Sequence, residues 1–538
     1  MILYHACMKN ILDQIVKNIP EEDKKNPTII LLLELFEQQF EIISALKEEN
    51  QILKDEIARL KNQKPKPKIR PTKLSKDTSR NSPEKISKPK KRKKTVELTI
   101  QKEERIAPVS IPAGSTFKGL KPYTVQDLHI SACNTRYFLE QWQTPGGKIV
   151  AGKLPPEIDG HFGNTLKSFI LYQYHHCHVT QPLILEQLHE WDVDISYCQV
   201  NRILIENKEQ FHAEKDDILA AGLNSSAYIN VDDTAARHDG KNGYCTHIGN
   251  EFFAYFASTD SKSRINFLKL LRAGKFDYIL NDNAFQYMIG ERLPKSPLTL
   301  LENHSVKKFT DDKQWQEHLK NLGITTPRHV RIATEGSLLG SVLSQIPKDL
   351  VIVSDDAGQF NIHNHALCWI HAERTLAKLI GPSTVKQKTL EDVRKQVWEF
   401  YDELKSFKIS PDEKDKIQLQ EKFDTIFTQQ TNFQLLNLAL QRLHANKAEL
   451  LLVLDRPEIP LHNNLSENDI REYVKKRKVS GSTRSKTGRQ CRDTFVSLKK
   501  TCRKLGISFW QYLKDRHSGK NLILPLPQLV EQKSAALR

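Results

Sequence analysis

A heptad repeat over residues 29–60 is the first regular pattern along the chain. Its a positions hold Ile, Phe, Ile, Asn and Ile, and Leu fills all but one of its d positions. β-Branched residues at a with Leu at d favour parallel two-stranded coiled coils, and one Asn at a fixes the register. The pattern predicts a dimeric coiled coil within residues 1–63. The alternative is an amphipathic helix packed on its own chain.

The next patterned region changes from turn signals to helical periodicity. Short strands and turns are predicted over 99–160, with Pro145-Gly146-Gly147 marking a hairpin. Ser196 is a predicted N-cap. Apolar spacing then predicts helices over 166–174, 179–191 and 197–207.

The last two of these helices resemble a helix-turn-helix, whose second helix would enter the major groove of DNA. Helical hairpins that never touch DNA share this pattern, so both interpretations stay open. The side chains expected on DNA are Tyr197, Gln199, Asn201 and Arg202. A nearby run, His175 to His178 with Cys177, points to several sides of a helix and is expected to be a helix end rather than a metal site.

Strands with acidic ends dominate the middle of the chain. Strands are predicted over 227–232, 243–248, 252–256 and 350–354, with a helix over 263–273. Two of them lead directly into the pairs Asp232-Asp233 and Asp355-Asp356. Carboxylates at buried strand ends are costly unless a cation offsets them, and Mg²⁺ prefers oxygen ligands. A strand-end turn is the alternative for each pair.

A third carboxylate, Glu467, lies in the first turn of a helix predicted to be capped by Asn464 and to run to about residue 478. An ion pair with Arg471, four residues later, is the alternative role for this carboxylate.

Charge separates the chain into regions with different partners. The formal net charge is +16; residues 64–94 carry 14 Lys or Arg against two acidic residues, and residues 471–504 carry 13 against two. Such clusters bind polyanions because each neutralised phosphate releases counterions, so nucleic acid is the expected partner. The Pro-rich first zone is also expected to be a solvated linker, whereas the second lies among apolar residues and is expected to be folded.

Composition excludes several other classes of protein. The longest uninterrupted apolar run, 252–257, is far shorter than the roughly 20 residues of a membrane-spanning helix. The N-terminus lacks an apolar stretch of signal-peptide length. Eight scattered cysteines without a CxxC pair fit a reducing cytosol, and neither a disulfide framework nor a zinc knuckle.

Four motifs together carry a family resemblance. They are VDDT at 231–234, SDDAG at 354–358, CWIHAER at 368–374 and IPLHNNLSE at 459–467. In this order they resemble the DDE transposases of insertion sequence family 66, a bacterial mobile-element family, over the chain from the coiled coil to about residue 516.

The resemblance implies an α/β fold with an RNase H-like catalytic core and a helical insertion. By motif position, Asp232, Asp355 and Glu467 match the catalytic carboxylates and would hold two Mg²⁺ or Mn²⁺ ions. The competing assignments are Asp233, Asp356 and Asp282.

Residues around the CxxH spacing of the third motif are expected beside the carboxylates. Cys368, His371 and Arg374 would support them there, since no second half of a zinc site is visible. The family often has cysteine pairs before the helix-turn-helix, whereas this chain has Cys133 alone there, so zinc is not expected. The Arg that usually follows the catalytic Glu is replaced by Asn468.

The implied function is Mg²⁺-dependent cleavage at element ends followed by strand transfer into target DNA. Two alternatives stay open: a non-catalytic dimeric DNA-binding protein, such as a regulator or a decayed transposase, and an RNase H-like nuclease without strand transfer. The expected partners are DNA, a second copy through 29–60 and element-encoded accessory proteins, in a bacterial cytoplasm and near the nucleoid. The second group of side chains expected on DNA is Arg471, Lys475, Lys476, Arg477, Lys478, Arg484, Lys486 and Arg489.

These observations divide the chain into eight regions. They are the coiled coil (1–63), the basic linker (64–98), a small β-rich subdomain (99–160), the helix-turn-helix-like domain (161–226), the first part of the core (227–380), the helical insertion (381–455), the C-terminal catalytic helix and basic region (456–516) and a tail (517–538).

Overall fold

The computed structural model describes residues 99–155 and 158–536. The predicted coiled coil over 29–60 and basic linker over 64–98 lie outside the described residues. The chain divides into two units between Asp127 and Leu128. Within the first unit, residues 99–127 adopt neither helix nor strand. None of the described helices combines the length and apolar character needed to cross a membrane.

A short hairpin follows, formed by β1 (Gln141–Gln143) and β2 (Ile149–Ala151). Its turn contains Gly147 at a φ of 79°, a left-handed conformation that glycine adopts without strain. The predicted hairpin at 145–147 is therefore confirmed. In the described part of the predicted β-rich region, 99–160, this hairpin is the regular structure and the remainder is irregular chain.

The helical region predicted over 161–226 is present as a set of packed helices. Ser196 occupies the predicted N-cap position and accepts a hydrogen bond from the backbone N–H of Gln199. A π-helical turn, Tyr172–His176, extends the first helix, which explains the predicted end of a helix at the histidine run. The helices are α1 (Asn164–Leu171), α2 (Gln181–Glu190), α3 (Tyr197–Ile205) and α4 (Glu209–Ser225).

Three antiparallel strands then build one side of the main sheet. They are β3 (Tyr228–Ala235), β4 (Tyr244–Gly249) and β5 (Ala254–Thr259), which agree with the predicted strands to within a few residues.

A helical segment interrupts the sheet between β5 and its next strand. The sequence pattern predicted its first helix and not the rest. Its core contains the stacked rings of Tyr278 and Trp315, whose centroids are 5.5 Å apart. The elements are α5 (Arg264–Leu271), β6 (Tyr278–Ile279), α6 (Asp282–Gly290), α7 (Lys295–Asn303), β7 (Lys308–Phe309), α8 (Asp312–Asn321) and α9 (Pro327–Leu343), with β6 and β7 paired separately from the main sheet.

Two parallel strands, β8 (Val351–Ser354) and β9 (Asn364–Leu367), complete the main sheet. Its strand order is β5-β4-β3-β8-β9; β4 is antiparallel to both of its neighbours, whereas β3, β8 and β9 run parallel. The mixed sheet with helical cover confirms the α/β class.

The predicted helical insertion follows β9 and a short helix, α10 (Trp369–Ala377). The region predicted as this insertion, 381–455, contains α11 (Thr384–Ile409), α12 (Glu413–Thr428), α13 (Gln434–Ala445) and α14 (Lys447–Leu450). The chain then ends in α15 (Asn464–Ser480), α16 (Lys486–Leu505), α17 (Phe509–Ser518) and α18 (Leu526–Ala535).

Both faces of the sheet are buried, as expected where parallel strands are covered by helices. Alternate residues of β8 enter different cores: Ile352 joins the core shared with the N-terminal helices, and Val351 and Val353 join the core of the helical insertion. On the β4–β5 side, Phe256 packs with Tyr473 of α15 in a third core.

Candidate active site

The register between β3 and β8 governs the position of the two predicted aspartates. Tyr228 pairs with Val351 and Asn230 with Val353. Continued two residues further in the same register, the strands bring Asp232 level with Asp355. Because side chains alternate along a strand, Asp232 shares a face with Asn230, and Asp355 shares one with Val353. Asp232 therefore belongs to the face that α15 covers, and Asp355 is the first residue after β8, at the position that this register would bring level with Asp232.

Asp232 lies in a partly buried and strongly negative environment. Burial raises the pKa of Asp232 to about 7, and the negative charges of Asp355, Asp233 and Glu467 add to the rise. A hydrogen bond to its Oδ1 from the backbone N–H of Asp233, at 2.7 Å, opposes it. The three predicted carboxylates are thus close enough to interact through their charges.

Asp355, directly after β8, has a carboxylate oxygen without a hydrogen-bond partner. Its Oδ1 is buried and accepts no hydrogen bond from any described residue. An unpaired buried carboxylate oxygen is costly unless a cation or water meets it. Hard oxygen donors of this kind suit Mg²⁺ or Mn²⁺, so the chemistry of the site fits such an ion.

The competing aspartates have other partners. Asp233 accepts hydrogen bonds from the Thr246 hydroxyl at 2.5 Å and from Nε2 of Gln359 at 3.0 Å. Asp356 forms an ion pair with Arg442 of α13. Asp282 is an exposed residue in the first turn of α6, away from the main sheet.

Glu467 is in the first turn of α15, as predicted. The predicted cap at Asn464 is wrong, because the helix begins there and Asn463 holds the N-cap position without capping through its side chain. The Asn463 side chain is fully buried and faces β3 instead. It accepts from Nδ2 of Asn230 at 2.9 Å and donates to the carbonyl of Val231 at 2.7 Å.

Further bonds attach the same loop to α10. The backbone N–H of Asn463 lies 3.1 Å from Sγ of Cys368, and the N–H of Trp369 donates to the carbonyl of Leu461 at 2.9 Å. Burial raises the pKa of the Cys368 thiol. The loop before Glu467 is therefore bonded to both β3 and α10, which brings α15 to the edge that carries the aspartates.

The carboxylate of Glu467 contacts two residues of α10, Arg374 and His371. Its Oε1 accepts from Nη1 of Arg374 at 3.0 Å and lies 3.5 Å from Nε2 of His371. Burial lowers the pKa of His371, an effect that Glu467 opposes. Arg471, the alternative partner predicted for Glu467, instead donates to Oδ1 of Asn468 at 3.1 Å.

An exposed basic stripe runs along α15 from Glu467. Helical spacing of 3.6 residues per turn brings Arg471, Lys475 and Lys478 to the same face as Glu467, and all three are exposed. Arg484 and Lys486 are also exposed just beyond the helix.

Three further basic residues predicted on DNA have partners within the protein, as Arg471 has in Asn468 and Lys475 has in Glu472, at 3.9 Å. Arg477 donates to the carbonyl of Ala235, and Arg489 pairs with Asp260 at 2.9 Å. The prediction for Lys476 is wrong, because its side chain is 1% exposed and donates to the carbonyl of Tyr174 at 2.6 Å. Burial lowers the pKa of Lys476 to about 7.

The predicted DNA-reading helix α3 has a mixed surface. Tyr197 and Arg202 are exposed, Gln199 is half-buried, and Asn201 accepts a hydrogen bond from Gln181 at 3.1 Å. Gln199 and Arg202 line a cleft of about 740 Å³ beside α1 and α17.

Sequence reasoning missed the residues that join these elements. Asn230, Asn463 and His247 are buried polar side chains whose partners lie more than 200 positions away. A polar residue inside an apolar strand was the available signal for Asn230 and His247.

Within residues 99–155 and 158–536, no three His, Cys, Asp or Glu side chains are close enough together to hold a metal ion as they stand.

Comparison with known proteins identifies related sequences. Residues 340–491 match the family described as Transposase IS66 family. The matched region includes Asp355 and Glu467 and begins after Asp232. The chain is also 47% identical over 322 residues to the uncharacterized protein y4jO of Sinorhizobium fredii (strain NBRC 101917 / NGR234), covering 59% of this chain and 100% of that protein.

Proposed function

Since the chain belongs to the Transposase IS66 family, we propose that it is a DNA transposase that cuts element ends and joins them to target DNA. Asp232, Asp355 and Glu467 are its proposed catalytic carboxylates. The register of β3 with β8 supports this proposal, because its continuation by two residues past Asn230 and Val353 would bring Asp232 level with Asp355, on the side of the sheet where α15 carries Glu467.

We infer an RNase H-like core from the same sheet. Three antiparallel strands next to two parallel ones, in the order β5-β4-β3-β8-β9, support the inference. In this arrangement the carboxyl ends of β3 and β8 lie together, and the helical insertion enters between Asp355 and Glu467.

The family suggests dependence on a divalent metal, and the proposed ligands are the three carboxylates. Two Mg²⁺ or Mn²⁺ ions would activate a water and stabilise the leaving oxygen in an in-line displacement at phosphorus. Arg374 offsets the charge of Glu467 within the protein. The bonds of the Asn463 loop to β3 and α10 support this proposal, because ligands on a well-connected frame would need little rearrangement when substrate binds.

DNA would be held outside the carboxylates by the exposed basic stripe. Arg471, Lys475 and Lys478 follow Glu467 along one face of α15 and would contact substrate phosphates. Tyr197 and Arg202 of α3 would contact DNA as a helix-turn-helix. Pairing of two protomers through 29–60 would engage both element ends.

The test is cleavage and joining of a labelled element-end duplex in Mg²⁺ or Mn²⁺. Wild type is expected to cut and join, and Asp232→Asn, Asp355→Asn and Glu467→Gln are each expected to lose both steps while still binding the duplex. Asp282→Asn makes the same chemical change at an exposed aspartate and should keep both activities.

Other outcomes would favour the alternatives. Cutting without joining would indicate a nuclease. Binding without cutting, with accessory proteins supplied, would indicate a non-catalytic DNA-binding protein.

A further inference from the structure

His247 on β4 is the cross-strand neighbour of Asp232. The two residues are paired in the antiparallel register of β3 and β4, so their side chains project from the same face of the sheet. His247 is fully buried. A buried imidazole next to a proposed catalytic carboxylate calls for polar partners, and α15 supplies them.

The imidazole of His247 contacts residues on both sides of Glu467. Its Nδ1 is 2.7 Å from Oγ of Ser466, and its Nε2 is 3.2 Å from Oδ2 of Asp469. The hydroxyl of Ser466 can donate to Nδ1, which leaves the ring proton on Nε2, close to the Asp469 carboxylate. The contact between Nε2 and Oδ2 is a close polar approach without hydrogen-bond geometry. Residues 466 and 469 are three apart and bracket Glu467 on the first turn of the helix.

The carboxylate of Asp469 is itself anchored by α16. Lys500 Nζ lies 3.0 Å from its Oδ1, and Lys504 Nζ lies 2.8 Å from its Oδ2. Lys504 also donates to the carbonyl of Asn250, at 2.6 Å, in the turn after β4. All four side chains in this network are mostly buried, so its geometry is constrained from both sides.

We propose that His247 is a positioning residue that fixes the helix of Glu467 against the strand of Asp232, so that the carboxylates are presented together to a divalent metal. The inference rests on the proposed function and assigns a role to a residue that never touches substrate. Arg374 holds the end of the Glu467 side chain, whereas His247 holds the backbone turn from which that side chain projects.

The direct test measures Mn²⁺ binding to the full chain, without DNA, by the electron paramagnetic resonance signal of free Mn²⁺. Removing a residue that orients metal ligands typically weakens metal binding 10- to 100-fold. His247→Leu is therefore expected to weaken Mn²⁺ binding by at least about tenfold. Cleavage should need correspondingly more metal and recover when metal is raised.

Milder variants guard against simple misfolding. His247→Asn keeps an acceptor near Oγ of Ser466 and should restore part of the affinity. Ser466→Ala removes one hydroxyl and should weaken Mn²⁺ binding by a smaller factor than His247→Leu.

The matched control is His517→Leu. His517 Nδ1 lies 2.9 Å from Oγ of Ser168, the same type of pair in a region that joins α17 to α1. This variant should leave Mn²⁺ affinity unchanged even if it lowers the melting temperature.

Two results would overturn the proposal in different ways. Unchanged Mn²⁺ affinity in both His247→Leu and Ser466→Ala, with binding lost in Glu467→Gln, would remove the role of His247 and leave the active site in place. Equal Mn²⁺ binding by wild type and Glu467→Gln would instead defeat the proposed metal site, and the role of His247 with it.

Discussion

Asp232 combines burial with three neighbouring negative charges, so the folded chain favours its protonated form. Its pKa of about 7 lies above the roughly 4 of an unfolded aspartate. The stability that this protonation contributes is fully present below pH 4 and is lost as the pH rises through 7. At neutral pH and without metal, ionisation of Asp232 therefore lowers the stability of the folded chain.

Asp232→Asn should remove this pH dependence. In chelator, wild type is expected to lose about 2 kcal/mol of unfolding free energy between pH 5 and pH 8, because its folded form releases a proton there. Urea denaturation of Asp232→Asn should show a much smaller loss. The exposed Asp282→Asn should behave like wild type, and parallel curves for wild type and Asp232→Asn would contradict the argument.

Two adjacent asparagines offer a second comparison at the residue scale. Asn463→Ala should lower the unfolding free energy by about 3 kcal/mol, because it leaves the amide of Asn230 and the carbonyl of Val231 buried without partners. Asn464→Ala makes the same change one position later, at a half-buried side chain, and should cost less than about 1 kcal/mol. Equal losses in chemical denaturation would show that the bonds of Asn463 to β3 contribute little.

The residues of the candidate site differ in how far the sequence alone could reveal them. Asp232 and Asp355 end apolar strands, and that local pattern sufficed to single them out. Asn463 carries no such local mark, and His247 is marked only as a polar residue inside an apolar strand. The partners of both residues come from distant parts of the chain. The predicted cap at Asn464 was one residue off, and Asn463, which holds the N-cap position, uses its side chain for bonds to β3.

At the scale of elements, α15 has several faces with different tasks. Ser466 and Asp469 face β4, Glu467 faces the proposed site, and Glu472 and Lys476 face the turn after α1. Lys476 and Lys499 donate to carbonyls of residues 174–176, which satisfies the end of that helix. α15 is therefore bonded both to β4 and to the turn after α1.

Glu472 should make the main ionic contact that joins α15 to the turn after α1 and to α16. Its carboxylate lies 2.8 Å from Nε2 of His178 and 2.5 Å from Nζ of Lys499, and both hold its pKa well below the usual range. Glu472→Gln should cost about 3 kcal/mol at pH 7, because the buried Lys499 loses its counter-charge.

The pH dependence of that loss follows from the sign of the shift. A lowered folded pKa contributes stability that is complete above the unfolded value of about 4.3 and is lost as the pH falls. The gap between wild type and Glu472→Gln should thus narrow by about 1 kcal/mol at pH 3.5 in urea denaturation. Glu413 is an exposed residue 3.5 Å from the half-buried Lys416, and Glu413→Gln should change stability by less than about 0.5 kcal/mol at either pH.

The sequence predicted elements with strong periodicity, but not the helical segment that separates β5 from β8. Alternation predicted β3, β4 and β5, and apolar spacing predicted α2 and α3. The elements from β6 to α8 were not predicted because they are short, at 2 to 10 residues. The 17-residue α9 was not predicted because Thr, Glu, Gly and Ser are buried along it, which hides its apolar spacing. The order of strands in the sheet depends on long-range pairing that local patterns do not encode.

At the scale of the whole molecule, positive charge divides into structural and exposed groups. The basic zone over 471–504 was expected to present one charged face. Instead, Lys499, Lys500 and Lys504 are mostly buried and paired with acidic side chains. A count of charges along the sequence could not separate these lysines from Arg471, Lys475 and Lys478, because burial depends on which face of each helix meets the core.

That division predicts which charges bind DNA. Each phosphate contact contributes about 0.9 to the slope of log affinity against log salt. Replacing Arg471, Lys475 and Lys478 together by Gln should therefore reduce this slope by about 2 to 3, measured by fluorescence anisotropy with a labelled duplex between 50 and 200 mM salt. Replacing Lys388, Lys395 and Lys414, three exposed lysines of the helical insertion, removes the same charge and should leave the slope unchanged. Equal slopes for the two triple variants would mean that net charge, and not the stripe beside Glu467, governs binding.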